Sequence, residues 1–245
     1  MSRRVSRIAS IAAGLLIAAP AFAETLEEVE KKIVEAQSKH KTVQYKDKTN
    51  SESNMPGMMM KSSMDSTIEL MRKGDKFLSR ADVKSVNITK MGDQPEQKIE
   101  STMTMIYDGQ FAYTINETAG MKSAMKMKPD ANTYDPVNMF KTLHENFELK
   151  LLPEEKLDGK AMYVIELAGK KGQPENPAFS RIATYYSKDT GLAMKSVHFD
   201  KAGKQVGSSV ASDVKLNSEI KPERFVFKAP EGVEVMDMTK MDMGK

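Results

Sequence analysis

Between Glu100 and Lys128, apolar and polar residues alternate with a period of two, and turn signals interrupt the alternation twice. Met103, Met105 and Tyr107 occupy every second position. Asp108-Gly109 follows, a dipeptide suited to the two positive φ angles of a tight hairpin turn. Phe111, Tyr113 and Ile115 alternate on the return strand. After Glu117 to Gly120 the chain turns again, and Met121, Met125 and Met127 alternate against Lys122, Lys126 and Lys128. Side chains two apart on a strand share a face. The pattern therefore predicts a three-stranded meander with one face of Met and aromatic residues and one polar or basic face.

The rest of the chain extends this pattern. Leu26, Val29, Ile33 and Ala36 follow the 3.6-residue period and predict an amphipathic helix over Thr25 to His40. Thr25 is placed to cap it, with Glu28 completing a capping box. Val43 to Asn54 is polar and reads as an outer strand, and Pro56-Gly57 breaks Met55 to Met60 into a turn or strand tip. Met64 to Lys73 reads as a strand with Met64, Ile68, Leu70 and Arg72 on one face. Gly74-Asp75 turns the chain, and Phe77, Ala81 and Val83 return. Gly92 to Glu96 and Asp130 to Asp135 read as loops. Asp135 is placed to cap a short helix that opens on Pro136. Val137, Phe140 and Leu143 form its apolar stripe, with Met139 beside it. Strands then follow from Phe147, after the Asp158-Gly159 hairpin signal, and over Ile182 to Ser187, Leu192 to Phe199 and Gln205 to Leu216. Lys170 to Pro177 joins two of them as a loop, and Phe225-Val226-Phe227 reads as a last short strand. Roughly ten strands and two helices predict an α+β chain, a mostly antiparallel sheet that needs cover on one face.

The N-terminus changes the picture of where this sheet works. Arg3, Arg4 and Arg7 precede an apolar stretch from Ile8 to Ala19, and Ala21-Phe22-Ala23 has the small-x-small form of a cleavage site. Residues 1–23 therefore read as a secretory signal peptide, with Glu24 as the mature start and the periplasm as the destination. The general secretory route fits better than the twin-arginine route, whose motif is incomplete. No Cys follows to carry a lipid anchor. Removing 23 of 245 residues leaves 222, enough for one sizeable core over residues 24–245, and the formal charge falls from +3 to zero. A neutral chain without a basic patch interleaved with aromatics does not read as a nucleic-acid binder. With no Cys at all, packing alone must hold the fold in an oxidising compartment.

Three segments, in order, resemble the bacterial outer-membrane lipoprotein carrier family (LolA-like). They are the N-terminal helix with the strand pair around Met71-Arg72-Lys73-Gly74-Asp75-Lys76-Phe77, the hairpin Tyr107-Asp108-Gly109-Gln110-Phe111-Ala112-Tyr113, and the closing run from Pro222 through Phe225-Val226-Phe227 to Pro230-Glu231-Gly232-Val233. The resemblance spans nearly all of the mature chain. It implies a curved, unclosed antiparallel β-barrel covered by helices, a half-open barrel whose hydrophobic cavity shields acyl chains. It implies a non-catalytic carrier or chaperone, a monomer that moves lipids or lipoproteins towards the outer membrane, with inner- and outer-membrane transport proteins as partners. The cavity residues expected on this reading are Ile68, Leu70, Phe77, Met103, Met105, Tyr107, Phe111, Tyr113, Met125, Met127, Met139 and Phe140. Arg72 matches the family's arginine thought to govern opening, which makes it the expected gate.

The twenty Met residues admit three readings. They fill core gaps as adaptable packing residues. They line a cavity for cargo of variable shape. Or Met55, Met58, Met59 and Met60, with Met236, Met238, Met241 and Met243 in a flexible tail over residues 236–245, offer thioethers to Cu(I). An envelope-stress or interaction module on the same fold is the remaining alternative. Catalysis has little to build on. His40, His144 and His198 are scattered without metal-site spacing, there is no Gly-x-Ser-x-Gly elbow, and no phosphate-binding glycine loop implies a cofactor.

Overall fold

The computed structural model describes residues 24–74, 76–129, 136–170 and 179–240. The segment 1–23, Asp75, the loop and cap expected at Asp130 to Asp135, most of the loop expected at Lys170 to Pro177, and Met241 and Met243 lie outside the described residues. Among the described residues no helix is long and apolar enough to cross a membrane.

Helix α1 (Leu26–Ser38) forms where the apolar stripe predicts it. Its capping box is complete: the Thr25 hydroxyl accepts from the Glu28 amide at 3.2 Å, and the Glu28 carboxylate accepts from the Thr25 amide at 2.8 Å. Two long hairpins follow, β1 (Thr42–Met55), β2 (Met58–Lys73) and β3 (Lys76–Met91). The meander is β4 (Gln97–Tyr107), β5 (Ala112–Thr118) and β6 (Met121–Met127). Helix α2 (Pro136–Asn146) precedes β7 (Phe147–Leu157), β8 (Lys160–Gly169), β9 (Arg181–Ser187), β10 (Ala193–Phe199), β11 (Gln205–Leu216) and β12 (Val235–Asp237). All twelve strands join one sheet in the order β12-β6-β5-β4-β3-β2-β1-β11-β10-β9-β8-β7. Every ladder is antiparallel except β12 on β6. The end strands β12 and β7 do not pair with each other, so the curved sheet is an unclosed half-barrel with two helices.

Four sequence expectations are corrected. The polar segment from Val43 is not an outer strand: β1 pairs with β2 on one side and β11 on the other. Its polarity reflects a convex side left open along the outer half of the strand, where Lys48, Asn50 and Glu52 are exposed. Asp108-Gly109 does not form a two-residue turn. Only Gly109 has positive φ, at +89°, and the Asp108 carboxylate accepts from the Gln110 and Phe111 amides at 2.8 Å each. That side-chain capping holds a four-residue loop between Tyr107 and Ala112, which pair directly. At Asp158-Gly159 both φ values are positive, 49° and 79°, and the tight turn forms as read. Phe225-Val226-Phe227 is not a strand, because Pro222–Phe225 winds into a 3-10 turn. The tail from Met236 is not free, since Val235–Asp237 pairs with β6 and so covers a sheet edge.

Direct cross-strand partners point to the same side, so the ladders sort every strand residue onto one of two faces. The concave face carries Val43, Tyr45, Leu70, Arg72 and Phe77 in the middle of the sheet, and Tyr163, Ile165, Leu167 and Tyr186 further along. Helices α1 and α2 lie on the latter group. Val29 and Ile33 are 0% and 1% exposed against Ile165, Tyr186 and Phe140, and each such buried aliphatic side chain contributes ~1.5–3 kcal/mol. His144 and Glu30 join the two helices at 2.9 Å. The end of α1 is fixed on the β9–β10 turn, where the Gln37 amide donates to the Gly191 carbonyl at 2.7 Å. Gly191 has φ +71°, and a Cβ there would stand 2.3 Å from the Ile33 carbonyl oxygen. Gly191→Ala is therefore expected to cost about 2 kcal/mol or more, from the left-handed backbone and the displaced helix together. A thermal midpoint equal to that of the parent protein would refute this close docking.

The convex face is covered by the C-terminal segment instead. Phe225, 2% exposed, packs with Leu78, Ile220 and Met71. Arg224 reaches Glu69 at 2.8 Å and Asp82 at 2.9 Å, and Arg80 pairs with Asp82 at 2.7 Å. Burial pushes the Asp82 carboxyl up, but hydrogen bonds from Arg80, Thr104 and Arg224 outweigh it and hold the group below its usual range. Stability from this network is present above the ordinary carboxylate range and is lost as pH falls through the lowered value.

Candidate functional site

An apolar cavity of about 270 Å³ lies between the concave face and the helices. Strands β1 and β2 supply Val43, Tyr45, Leu70 and Arg72, and β3 supplies Phe77. Gln37 and His40 close it from the end of α1, and Met139 from α2. Tyr186, Leu192 and Met194 form the far wall, with Ala211 and Val214 of β11 beside β1. The site depends on strands distant in sequence: Val43 is paired with Leu70 on one side and Leu216 on the other.

Beside Gln37 and Lys41, the polar side chains in this wall are of two kinds. The first kind is neutral. Burial, with the nearby Asp47 carboxylate, pushes the Tyr45 hydroxyl up to about 12. Burial, with Glu30, does the same to Tyr186, also to about 12. The second kind lacks partners. Both ring nitrogens of His40 and the Nε of Arg72 are buried without a hydrogen bond among the described residues. The Arg72 guanidinium stacks on Phe77 at 4.5 Å from the ring centre, and its backbone amide donates to the Lys41 carbonyl at 2.8 Å. Arg72 is therefore tied directly to the connection between α1 and β1, at the cavity wall.

Of the expected cavity residues, Leu70, Phe77 and Met139 line this space together, with Arg72 beside them. Ile68 shares their face and pairs with Tyr45, outside the lining. Phe140 is 5% exposed and belongs to the core beneath α2, tilted on Tyr186 at 5.9 Å. Met103, Met105, Tyr107, Met125 and Met127 share the concave face with Leu70 but not the cavity. The helices cover β8 and β9. Strand β4 is six strands from β9, roughly 29 Å along the sheet at ~4.8 Å per strand, so the cover does not reach it. Met105 is accordingly 38% exposed. Tyr113 and Phe111 are corrected. The four-residue loop sets Tyr113 opposite Ile106, on the convex face, where it stacks on Phe227 at 4.3 Å. Phe111 stays in the loop, with the Lys126 ammonium 3.9 Å over its ring.

The two Met groups do not come together. Met55, Met58 and Met91 stand in one cross-strand row with Met60 next to it on the same face, whereas Met59 points to the opposite face. Met236 pairs with Met125 on β12, five strands from β2, roughly 24 Å away at ~4.8 Å per strand. Met238 begins a 3-10 turn after it. Among the described residues no group of three His, Asp or Glu side chains could hold a metal ion.

The sequence reading missed Val43 and Tyr45, His40, and the far wall of Tyr186, Leu192 and Met194. The signal for the first two was present as an i, i+2 apolar pair at the start of an otherwise polar strand.

No family model matches the chain. An uncharacterized protein of Methanocaldococcus jannaschii is 25% identical over 144 residues, which cover 58% of this chain and 40% of that protein. Among solved structures, the Pseudomonas aeruginosa MucA/MucB complex is similar at a TM-score of 0.44 and 14% identity, covering 82% of this chain and 60% of the other. A LolA superfamily protein from Nitrosomonas europaea is similar at a TM-score of 0.31 and 11% identity, covering 84% of this chain and 99% of the other. The chain spans 40% of the first of these relatives and 60% of the second, less than two thirds of each.

Proposed function

We propose that the protein is an exported, non-catalytic carrier that holds the acyl chain of a lipid or lipoprotein between the concave face and its two helices. The observation that supports this reading is the cavity itself, an apolar space walled by Val43, Leu70, Phe77, Met139, Leu192 and Met194. A sixteen-carbon chain gains roughly 11 kcal/mol on leaving water, at ~0.8 kcal/mol per CH2. Burying half of it contributes about 5 kcal/mol, comparable with the lower end of the ~4–15 kcal/mol that association costs, so binding needs most of the chain covered. The volume of about 270 Å³ lies at the lower limit of ligand pockets, which run from roughly 300 to 1,000 Å³. It suits one chain and not several. The Met-rich concave face beyond the helices extends the apolar surface for the rest of the chain, through Met103, Met105 and Met125.

Release needs no chemistry on this reading. Movement of α1 and α2 away from the sheet opens the space, and the periplasm supplies an aqueous gap to be crossed. Native mass spectrometry of the protein taken from the envelope of its own host is expected to show one co-purifying acyl-chain lipid or lipopeptide per chain. A ligand-free protein that also fails to take up a fluorescent fatty acid would overturn the carrier reading.

A further inference from the structure

Three of the buried polar side-chain atoms that lack a hydrogen-bond partner among the described residues fall in one place. They are His40 Nδ1, His40 Nε2 and Arg72 Nε, on residues that both line the apolar cavity. Buried polar atoms are paired in the great majority of native positions, and each orphan is costly. Three orphans around one space are therefore more than a packing accident, and they share a chemistry. Arg72 is a permanent cation whose Nε–H is a donor, and an imidazole always presents at least one N–H. Neither residue has a carboxylate partner: no ion pair of Arg72 or His40 is formed among the described residues, while Arg80, Arg181 and Arg224 are each paired with an acid. Phe77 holds the guanidinium by its face at 4.5 Å, which fixes the plane of the fork and leaves its N–H edges for an acceptor.

Around these two groups the wall is mostly apolar, with Lys41 a further cation in the lining next to His40 in the chain. Leu70 and Val43 stand beside Arg72 on the sheet, and Met139 faces them from α2. The cavity thus offers positive donors at Arg72 and His40 within a mostly hydrocarbon wall. We infer that the cargo is a single-chain amphiphile with an acidic head, whose carboxylate or phosphate oxygens accept from Arg72 and His40 while its chain lies against Leu70, Phe77 and Met139. This inference rests on the acyl-carrier reading and adds the head group to it. It also gives Arg72 a role through ligand contact, and places the polar end of the cargo where the chain leaves α1 for β1.

The test is displacement of Nile red, a neutral apolar dye, from the full-length mature protein by three sixteen-carbon compounds: hexadecanoic acid, hexadecyl phosphate and hexadecan-1-ol. The acidic compounds are expected to displace the dye at roughly 10- to 100-fold lower concentration than the alcohol, the range of a hydrogen bond to a charged group. Whichever acid is stronger identifies a carboxylate or a phosphate as the preferred head. In Arg72→Met, which keeps an unbranched chain against Phe77, the advantage of the acids is expected to shrink to within about threefold, while the alcohol is unchanged. Arg72→Lys is expected to restore part of it. Equal displacement by acid and alcohol in the unmutated protein overturns the inference and leaves the carrier reading standing. Failure of all three compounds to displace the dye overturns both.

Discussion

Phe225→Ala is expected to lower stability by about 3–5 kcal/mol, the range for truncating a buried aromatic side chain. The ring is 2% exposed and closes a small cluster with Leu78, Ile220 and Met71 on the convex face. Removing the ring would leave a gap between Leu78 and Ile220 beneath the C-terminal segment. The loss should also spread. Arg224, next in the chain, ties the same segment to Glu69 and Asp82, and its bonds need the 3-10 turn that Phe225 anchors. For a chain of this size the thermal midpoint should fall by roughly 6–20 °C. Acyl binding should persist at low temperature, because the cavity lies on the opposite face. A midpoint lowered by less than about 2 °C would show that the segment is a loose strap and not part of the core.

That segment is also where the sequence was hardest to read. Phe225-Val226-Phe227 alternates like a strand, and Pro222 precedes it as if to open one. The decisive fact is tertiary: Phe225 is drawn down onto Leu78, and the short 3-10 turn is the way to bring it there. Elements governed by local chemistry were legible in detail. Thr25 and Glu28 form the cap that their spacing predicts, and Asp158-Gly159 forms the tight turn. Asp108-Gly109 has the same two residues and a different outcome. There the Asp108 carboxylate finds two backbone amides, and the loop grows to four residues. Either loop length pairs odd-numbered residues of one strand with even-numbered residues of the other, so Tyr113 shares a face with Ile106 and not with Met105; the two extra loop residues change only which residue it meets, Ile106 in place of Thr104.

The candidate site was half legible for a related reason. Leu70, Phe77 and Met139 carry the periodic signal of a covered face. Which part of that face the helices cover depends on β1 lying beside β11, a pairing across most of the chain. Alternation alone cannot supply it. The meander of β4 to β6 therefore looked like the centre of the site and is instead an uncovered wing of the same concave face. His40 looked incidental because it lies in the connection between α1 and β1, while Arg72, which lines the same cavity, is on β2, and neither has a motif.

Leu70→Asp is expected to weaken acyl-chain binding by at least about 100-fold while leaving the fold in place. An unpaired carboxylate in an apolar space costs several kcal/mol, or titrates until it is neutral. Leu70 is half-buried, open to the cavity on one side. Arg72, two residues on and on the same face, is available as a counter-charge. The new carboxylate can therefore pair with the guanidinium that lacks a partner in the parent protein, and the thermal midpoint should move little. Binding should suffer twice, from the charge beside the chain and from occupation of Arg72. Ile165→Asp supplies the contrast: Ile165 is 0% exposed under α1, and an acid there should unfold the protein, as core polar insertions do. Thermal melting and fluorescent fatty-acid uptake, measured on both variants, separate the outcomes. If Leu70→Asp unfolds like Ile165→Asp, the space beside Leu70 is solid core and no cavity. If Leu70→Asp melts normally and still takes up the fatty acid with parental affinity, the acyl chain lies elsewhere on the concave face, with Met105 and Met125 the next residues to change.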